Sequence, residues 1–278
     1  MFKLYEKSAI DCSRKVTNNY STSFSLGIKM ISSDYRWAIY SIYGFVRLAD
    51  EIVDTFERED KAELLAQFKK DTYESIEKGI SLNPILHAFQ KAANQFQIGK
   101  DLIEPFFISM ESDLDKQTYS RGQYDEYIYG SAEVVGLMCL KVFCDGNSDE
   151  YNSLVKPAKA LGAAFQKVNF LRDMKSDVED RGRVYFPKLD INNFNEEIKQ
   201  EIIEEVKQDF DMAYSGIKRL PLSCRFGVYT AYRYYLRLLD KIDRVNANDV
   251  LEKRIRVANS EKVALLARSY VKFKLNVL

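Results

Sequence analysis

Apolar residues recur every three to four positions along nearly all of this 278-residue chain, and strict two-residue alternation is scarce. That period marks helices that bury one face. Gly (12) and Pro (5) are few for the length, so little interrupts it. The spacing predicts helices over 4–20, 22–30, 34–56, 59–78, 83–96, 100–115, 123–143, 148–180, 195–219, 223–245 and 259–275. Turn-like stretches separate them at Ser32-Ser33-Asp34, Lys78-Gly79, Ile98-Gly99, Asp145-Gly146-Asn147 and Leu220-Pro221. Glu179 to Asn195 lacks the period, carries Arg181-Gly182-Arg183 and Phe186-Pro187, and reads as a functional loop or lid. No linker, repeat or low-complexity tract divides the chain. The expectation is a single all-α domain over 1–278 with helices around a central cavity.

Two of these helices carry acids at the same spacing, Asp50-x-x-x-Asp54 and Asp173-x-x-x-Asp177. Residues four apart share a helix face. In the first helix, Ile39, Ile42, Tyr43, Val46, Ala49 and Val53 form an apolar arc, and Tyr43, Arg47, Asp50 and Asp54 line its edge. Phe45, Leu48 and Ile52 cover the other side, so the helix is apolar nearly all round and must be buried. In the second, Gln166, Asn169, Asp173, Asp177 and Asp180 fall within about 80° of one face. A polar stripe on a buried helix needs partners or a ligand. One pair alone would be read as half of a salt-bridge network. Two pairs with equal spacing point instead to carboxylates aimed at one cavity, where they would attract divalent cations and, through them, phosphate. Arg47 and Arg172 beside them suit phosphate directly. Like charge gathered in one cavity also implies that Asn at 50, 54, 173 or 177 should leave the ligand-free protein no less stable.

Composition narrows the function. Lys+Arg and Asp+Glu are equal at 41 each, so nothing suggests a nucleic-acid partner. One histidine, His87, sits on an ordinary amphipathic stretch and reads as structural; a His-based triad or metal site is set aside. Cys12, Cys139, Cys144 and Cys224 form no CxxC pattern and read as reduced, mostly buried thiols of a cytoplasmic protein. The first residues carry too much charge for a signal peptide, and no run reaches the ~18 apolar residues of a membrane span. A transmembrane anchor is not expected; loose peripheral contact with a membrane is left open.

Five motifs in order, Tyr20-Ser-Thr-Ser-Phe24, Arg47-Leu-Ala-Asp50-Glu-Ile-Val-Asp54, Tyr129-Gly-Ser-Ala-Glu-Val-Val-Gly136, Gln166-Lys-Val-Asn169-Phe-Leu-Arg172-Asp173-Met-Lys-Ser-Asp177 and Gly182-Arg-Val-Tyr-Phe-Pro187, resemble those of the squalene/phytoene synthase family, and most those of bacterial phytoene synthases. Any one of them is weak; the ordered set is specific and spans about Tyr20 to Val257. The resemblance implies an isoprenoid synthase fold and head-to-head joining of two prenyl diphosphates. It implies that Asp50, Asp54, Asn169, Asp173 and Asp177 hold Mg²⁺, with Mn²⁺ a substitute, against the diphosphates. Ser21, Ser23, Arg47, Gln166 and Arg172 would contact diphosphate oxygens, with Tyr43 nearby, and Tyr129 would line the cavity. Tyr235 and Arg254 match a tyrosine and a basic residue that close over the phosphates. Catalysis would rest on Asp50, Asp54, Asp173, Asp177, Arg47 and Tyr129.

Two positions depart from the family pattern. Glu133 stands where Gly is common, which puts close helix packing there in question. Tyr20 stands where some members carry His, and it is assigned no proton transfer. The reaction implied is carotenoid biosynthesis by a prenyltransferase: two geranylgeranyl diphosphates pass through a cyclopropylcarbinyl diphosphate to phytoene, with release of diphosphate and product delivered toward a membrane. A C30 enzyme making dehydrosqualene or squalene from farnesyl diphosphate is the alternative within the class. A non-catalytic relative acting as an assembly factor or binding protein is the alternative outside it, and the intact Asp set speaks against that.

Overall fold

The computed structural model describes residues 2–115, 118–187, 189 and 193–275. The helices are α1 (Phe2–Tyr20), α2 (Thr22–Lys29), α3 (Ser33–Asp54), α4 (Lys61–Lys78), α5 (Pro84–Phe96), α6 (Lys100–Asp115), α7 (Arg121–Ile128), α8 (Val134–Cys144), α9 (Ser148–Glu179), α10 (Glu196–Ile217), α11 (Leu222–Asp243), α12 (Ala247–Glu252) and α13 (Asn259–Lys274). Among the described residues the only β-type pairing is an isolated bridge between Thr118 and Val184. Each helix predicted from the period is present. The short α12 was not predicted, because six residues are too few to show a period.

Local chemistry sets many of the boundaries. Asn83 caps α5 with its side-chain oxygen, ahead of Pro84 at the first helical position. Ser120 and Gln123 form a capping box at α7. Asn147 and Asn195 cap α9 and α10 with a side-chain oxygen that accepts from the Glu150 and Ile198 N–H groups. The Glu179–Asn195 loop is described only in part, since 188 and 190–192 lie outside the described residues.

Two apolar clusters flank the centre. One gathers around Phe45 of α3, which stacks on Phe89 of α5 at 3.9 Å and meets Phe106 and Phe107 of α6 at 5.2 and 5.7 Å. The other gathers Phe170 of α9, Phe210 of α10, Tyr232 of α11 and Tyr185 of the loop after α9. A cavity of about 630 Å³ lies between them, bordered by α2, α3, α8, α9, α10 and α11. That volume falls in the usual range of small-molecule sites.

A π-helical turn, Tyr129–Glu133, joins α7 to α8, and the Val134 N–H bonds the Tyr129 carbonyl five residues back. Arg121–Cys144 as a whole is long and apolar enough to cross a membrane by length and composition, more so than the sequence reading allowed, yet 61% of its apolar 18-residue stretch is buried inside the fold. It packs against α3, α6 and α9 as a core helix. The doubt about packing at Glu133 is resolved here. Its carboxylate pairs with Lys159 at 2.9 Å, and α9 still approaches closely because Gly162 faces the turn. A Cβ on Gly162 would lie 2.5 Å from the Ala132 carbonyl oxygen, which backbone cannot yield.

Gly162→Ala should therefore lower stability by ~1–3 kcal/mol through overpacking. Gly122→Ala in α7, where a new Cβ meets nothing within 4 Å, should be neutral or raise it by ~0.4–1 kcal/mol. Denaturant melts of the two variants check this, and equal losses would contradict it.

Candidate active site

The acids of α3 and α9 meet at one end of the cavity. Asp50 and Asp54 border it from α3, and Asp173 and Asp177 from α9. Arg181, just past α9, spans the two helices: its Nη1 lies 2.9 Å from Asp177 and its Nε 3.8 Å from Asp54. One guanidinium between both pairs shows that they face each other.

Every carboxylate of the four has an arginine in reach. Arg47 pairs with Asp50 and also with Glu51, one turn along α3. Arg183 reaches Asp54 at 2.6 Å. Arg254 reaches Asp173 at 2.8 Å, and Arg172 Nε donates to the same carboxylate at 3.0 Å. The salt-bridge reading of the acids is thus partly met. The pairing does not neutralise them fully. Burial pushes Asp50 up to about 6 with Asp54 adding to it, and burial pushes Asp177 up to about 7 against the pull of Arg181. Over a third of the Asp50 side chain is open, but it opens into the cavity rather than to bulk water.

The polar stripe of α9 continues away from the acids. Asn169 accepts from the Tyr235 hydroxyl at 3.3 Å and donates to Gln166 at 3.4 Å. Tyr235 in turn stacks on Phe165 at 4.0 Å. Ser21 caps α2 by accepting from the Phe24 N–H at 3.2 Å, and Phe24 lies 5.2 Å from the Tyr43 ring. Tyr20 lies under Arg47, ring centroid to guanidinium carbon 4.2 Å, so its role is to steady that arginine. Beyond these groups the wall turns apolar and small, with Ile28, Val135, Leu140, Ala158, Gly216 and Leu220.

Of the predicted site residues, Ser21, Tyr43, Arg47, Asp50, Asp54, Gln166, Asn169, Arg172, Asp173, Asp177, Tyr235 and Arg254 border the cavity. Ser23 and Tyr129 do not border it. Ser23 falls beside Ser21 on a helix, so the turn carries it off the wall. Tyr129 lies under Lys159, whose ammonium sits 4.8 Å above the ring. Tyr127 takes the wall position instead, two residues back and so on the other side of the helix. Asp180 caps α9 in solvent and leaves the stripe.

Three residues were missed. Arg181 and Arg183 were read only as part of a loop. Gly182 between them adopts a left-handed φ of +65°, which lets the Arg183 N–H reach the Asp177 carbonyl at 2.8 Å and keeps both arginines near the acids. Asp113 of α6 is buried behind the site, and burial pushes it up to about 7 against the pull of Arg183 and Tyr127. It had a signal: with Phe106 and Met110 it forms a 4-then-3 spacing on an otherwise apolar face.

Residues 17–261 match the squalene/phytoene synthase family. The chain belongs to that family. It is 29% identical to a phytoene synthase of Arthrospira platensis over 91% of this chain and 89% of that protein. It is 30% identical to a 4,4'-diapophytoene synthase of Staphylococcus haemolyticus over 70% of this chain and 68% of that one. A crystal structure of a dehydrosqualene synthase in complex with ligand superposes with a TM-score of 0.83 at 22% identity, covering 98% of this chain and 99% of that one. The all-α isoprenoid synthase fold follows, as does prenyltransferase chemistry on prenyl diphosphates in isoprenoid biosynthesis.

The donor set suits a hard divalent ion. Asp50, Asp54, Asn169, Asp173 and Asp177 offer only oxygen from their acceptor atoms, and the raised Asp50 and Asp177 are carboxyls still short of positive charge. Among the described residues no three acids converge closely enough to chelate an ion unaided. An ion held there would have to draw its remaining ligands from elsewhere, as from phosphate oxygens.

The four Asn variants should not behave alike, contrary to the expectation from sequence. A carboxyl whose pKa rises on folding weakens the fold once pH passes its unfolded value, and fully so above its folded one. At pH 8 Asp50→Asn and Asp177→Asn should leave the ligand-free melting temperature unchanged or higher, since Arg47 keeps Glu51 and Arg181 keeps Asp54. Asp54→Asn should lower stability by ~1–3 kcal/mol, because Arg183 is buried and loses its nearest acceptor. A large drop in the first two variants would mark those acids as structural.

Proposed function

We propose that this chain is a phytoene synthase, acting as one domain on two geranylgeranyl diphosphates. The observation that carries the reading is the cavity itself: paired acids and arginines at one end, an apolar wall of small and aliphatic side chains at the other. The near full-length similarity to a phytoene synthase supports the C40 choice. The similarity to a 4,4'-diapophytoene synthase and the structural likeness to a dehydrosqualene synthase favour a C30 enzyme using farnesyl diphosphate as the second reading.

The residues divide the work. Arg47, Arg172 and Arg254 are held beside carboxylates in the ligand-free state and would turn to diphosphate oxygens when substrate enters. Mg²⁺ bound by Asp50, Asp54, Asn169, Asp173 and Asp177 would supply the positive charge that makes diphosphate a good leaving group. Ser21 and Gln166 border the same end and can donate to the departing anion. The allylic cation left behind must be kept from water, and the apolar wall excludes it. Tyr43, Phe24 and Tyr127 border the cavity and would offer aromatic rings to such a cation.

Purified protein with geranylgeranyl diphosphate and Mg²⁺ should give phytoene in the lipid extract. A product from farnesyl diphosphate alone selects the second reading, and no product from either refutes a catalytic role. EDTA should abolish turnover, and Asp50→Asn and Asp173→Asn should each cut it by at least ~10²-fold, as loss of a preorganised electrostatic group does. Near-normal rates in either case would remove the acids from the site.

Chain length has its own test. Ile28 is 2% exposed and borders the apolar part of the cavity. Ile28→Phe should overfill it and shift preference toward the C15 substrate, since such walls are close-packed. Competing the two substrates measures the ratio; an unchanged C20 preference would show that Ile28 does not limit the tail.

A further inference from the structure

Behind the acid cluster lies a second buried network that the reaction, as derived above, does not use. Its centre is Asp113 of α6, whose side chain is 3% exposed. Its Oδ2 accepts from the Tyr127 hydroxyl at 2.8 Å. Its Oδ1 accepts from the hydroxyls of Tyr119 and Tyr185 at 3.3 and 3.4 Å. The Arg183 guanidinium lies 3.7 Å away, and its Nη2 donates to the Asp113 backbone carbonyl at 2.7 Å. The same guanidinium reaches Asp54 at 2.6 Å. Asp113 is therefore two contacts from the cluster and one contact from the cavity wall.

Tyr127 and Tyr185 both border the cavity. Tyr185 stacks on Phe170 at 4.0 Å and lies 5.2 Å from Tyr127, so neither ring is free to swing. A phenol has one hydrogen to donate. Both tyrosines commit theirs to Asp113, and the Tyr185 oxygen also accepts from Arg183 Nη1 at 3.2 Å, so the hydroxyls are held in the buried network and the rings are left for the cavity wall.

We infer that Asp113 is a positioning residue: by accepting the Tyr127 and Tyr185 hydrogens it anchors both phenols in the buried network and so holds their rings at the cavity wall, where a carbocation forms. This rests on the prenyl synthase reading. A ring held this way offers its negative π-face to the cation. Released from Asp113, either hydroxyl could turn into the cavity and donate to the leaving diphosphate instead.

The test is a double-mutant cycle on Asp113→Asn and Tyr127→Phe, assayed at pH 8 with saturating Mg²⁺ and prenyl diphosphate. An Asn amide keeps one acceptor oxygen where Asp113 uses two, so it can no longer hold both hydroxyls. Asp113→Asn should lower kcat by ~10- to 100-fold, the scale of a small misplacement of a reacting group, with KM changed less than ~3-fold. The double variant should be no slower than the slower single, because both changes disable one device. If Asp113→Asn melts out by stranding Arg183, the cycle is repeated in an Arg183→Gln background, where no guanidinium is left unpaired. Multiplying effects, or a kcat within twofold of wild type, would overturn the inference. Failure of the wild type on every prenyl diphosphate would instead overturn the functional reading on which it rests.

Discussion

Carboxylates gathered inside a protein repel one another, and that repulsion organises this molecule. Burying them has to be offset by cations. Here the protein supplies its own in the ligand-free state, with Arg181 standing between the acids of α3 and α9. Arg183 fastens Asp54 from behind. The offset is incomplete, as the raised Asp50 and Asp177 show. A site balanced in this way is stable enough to fold and still favours arriving positive charge. Arginine also suits phosphate, so under the proposed function one set of side chains would serve both states.

Much of this was legible in the sequence because helical period records burial directly. Gln166, Asn169, Asp173 and Asp177 interrupt an otherwise apolar helix at steps of three and four, and the structure places each of them on the cavity. What period cannot record is a change of register. Tyr127 and Tyr129 are equally aromatic and two apart, and only the path of the chain decides which faces inward. Arg181 and Arg183 escaped for a related reason: they lie past the last helical turn, where no period exists, and a left-handed Gly182 sets their direction. Asp113 was different. Its place on an apolar face was readable, but a single acid there carries no partner in the sequence, since Tyr119, Tyr127, Tyr185 and Arg183 come from three other segments.

The apolar end of the cavity depends on close helix crossings. Gly216 of α10 meets Pro157 of α9, and Gly27 of α2 meets Gly227 of α11, at separations that leave little or no room for an added Cβ. Side chains of this size let backbones approach while leaving space between them. The cavity is thus a property of helix spacing as much as of the residues that face it.

The π-helical turn at Tyr129–Glu133 adds one residue to a helix whose two ends do different things. Its C-terminal half, α8, belongs to the apolar wall of the cavity, with Leu140 and Phe143, and its N-terminal half carries Tyr127 to the polar end. Straightening the turn into plain α-helix with every residue kept would rotate one half against the other by about 100°. Either the tyrosine or the apolar wall would then face the wrong way, although the helix itself would be more regular. The irregularity acts as a phase adjustment between two functions on a single rod. Insertions and deletions in this stretch are therefore constrained by the alignment of those two surfaces, not by helix stability.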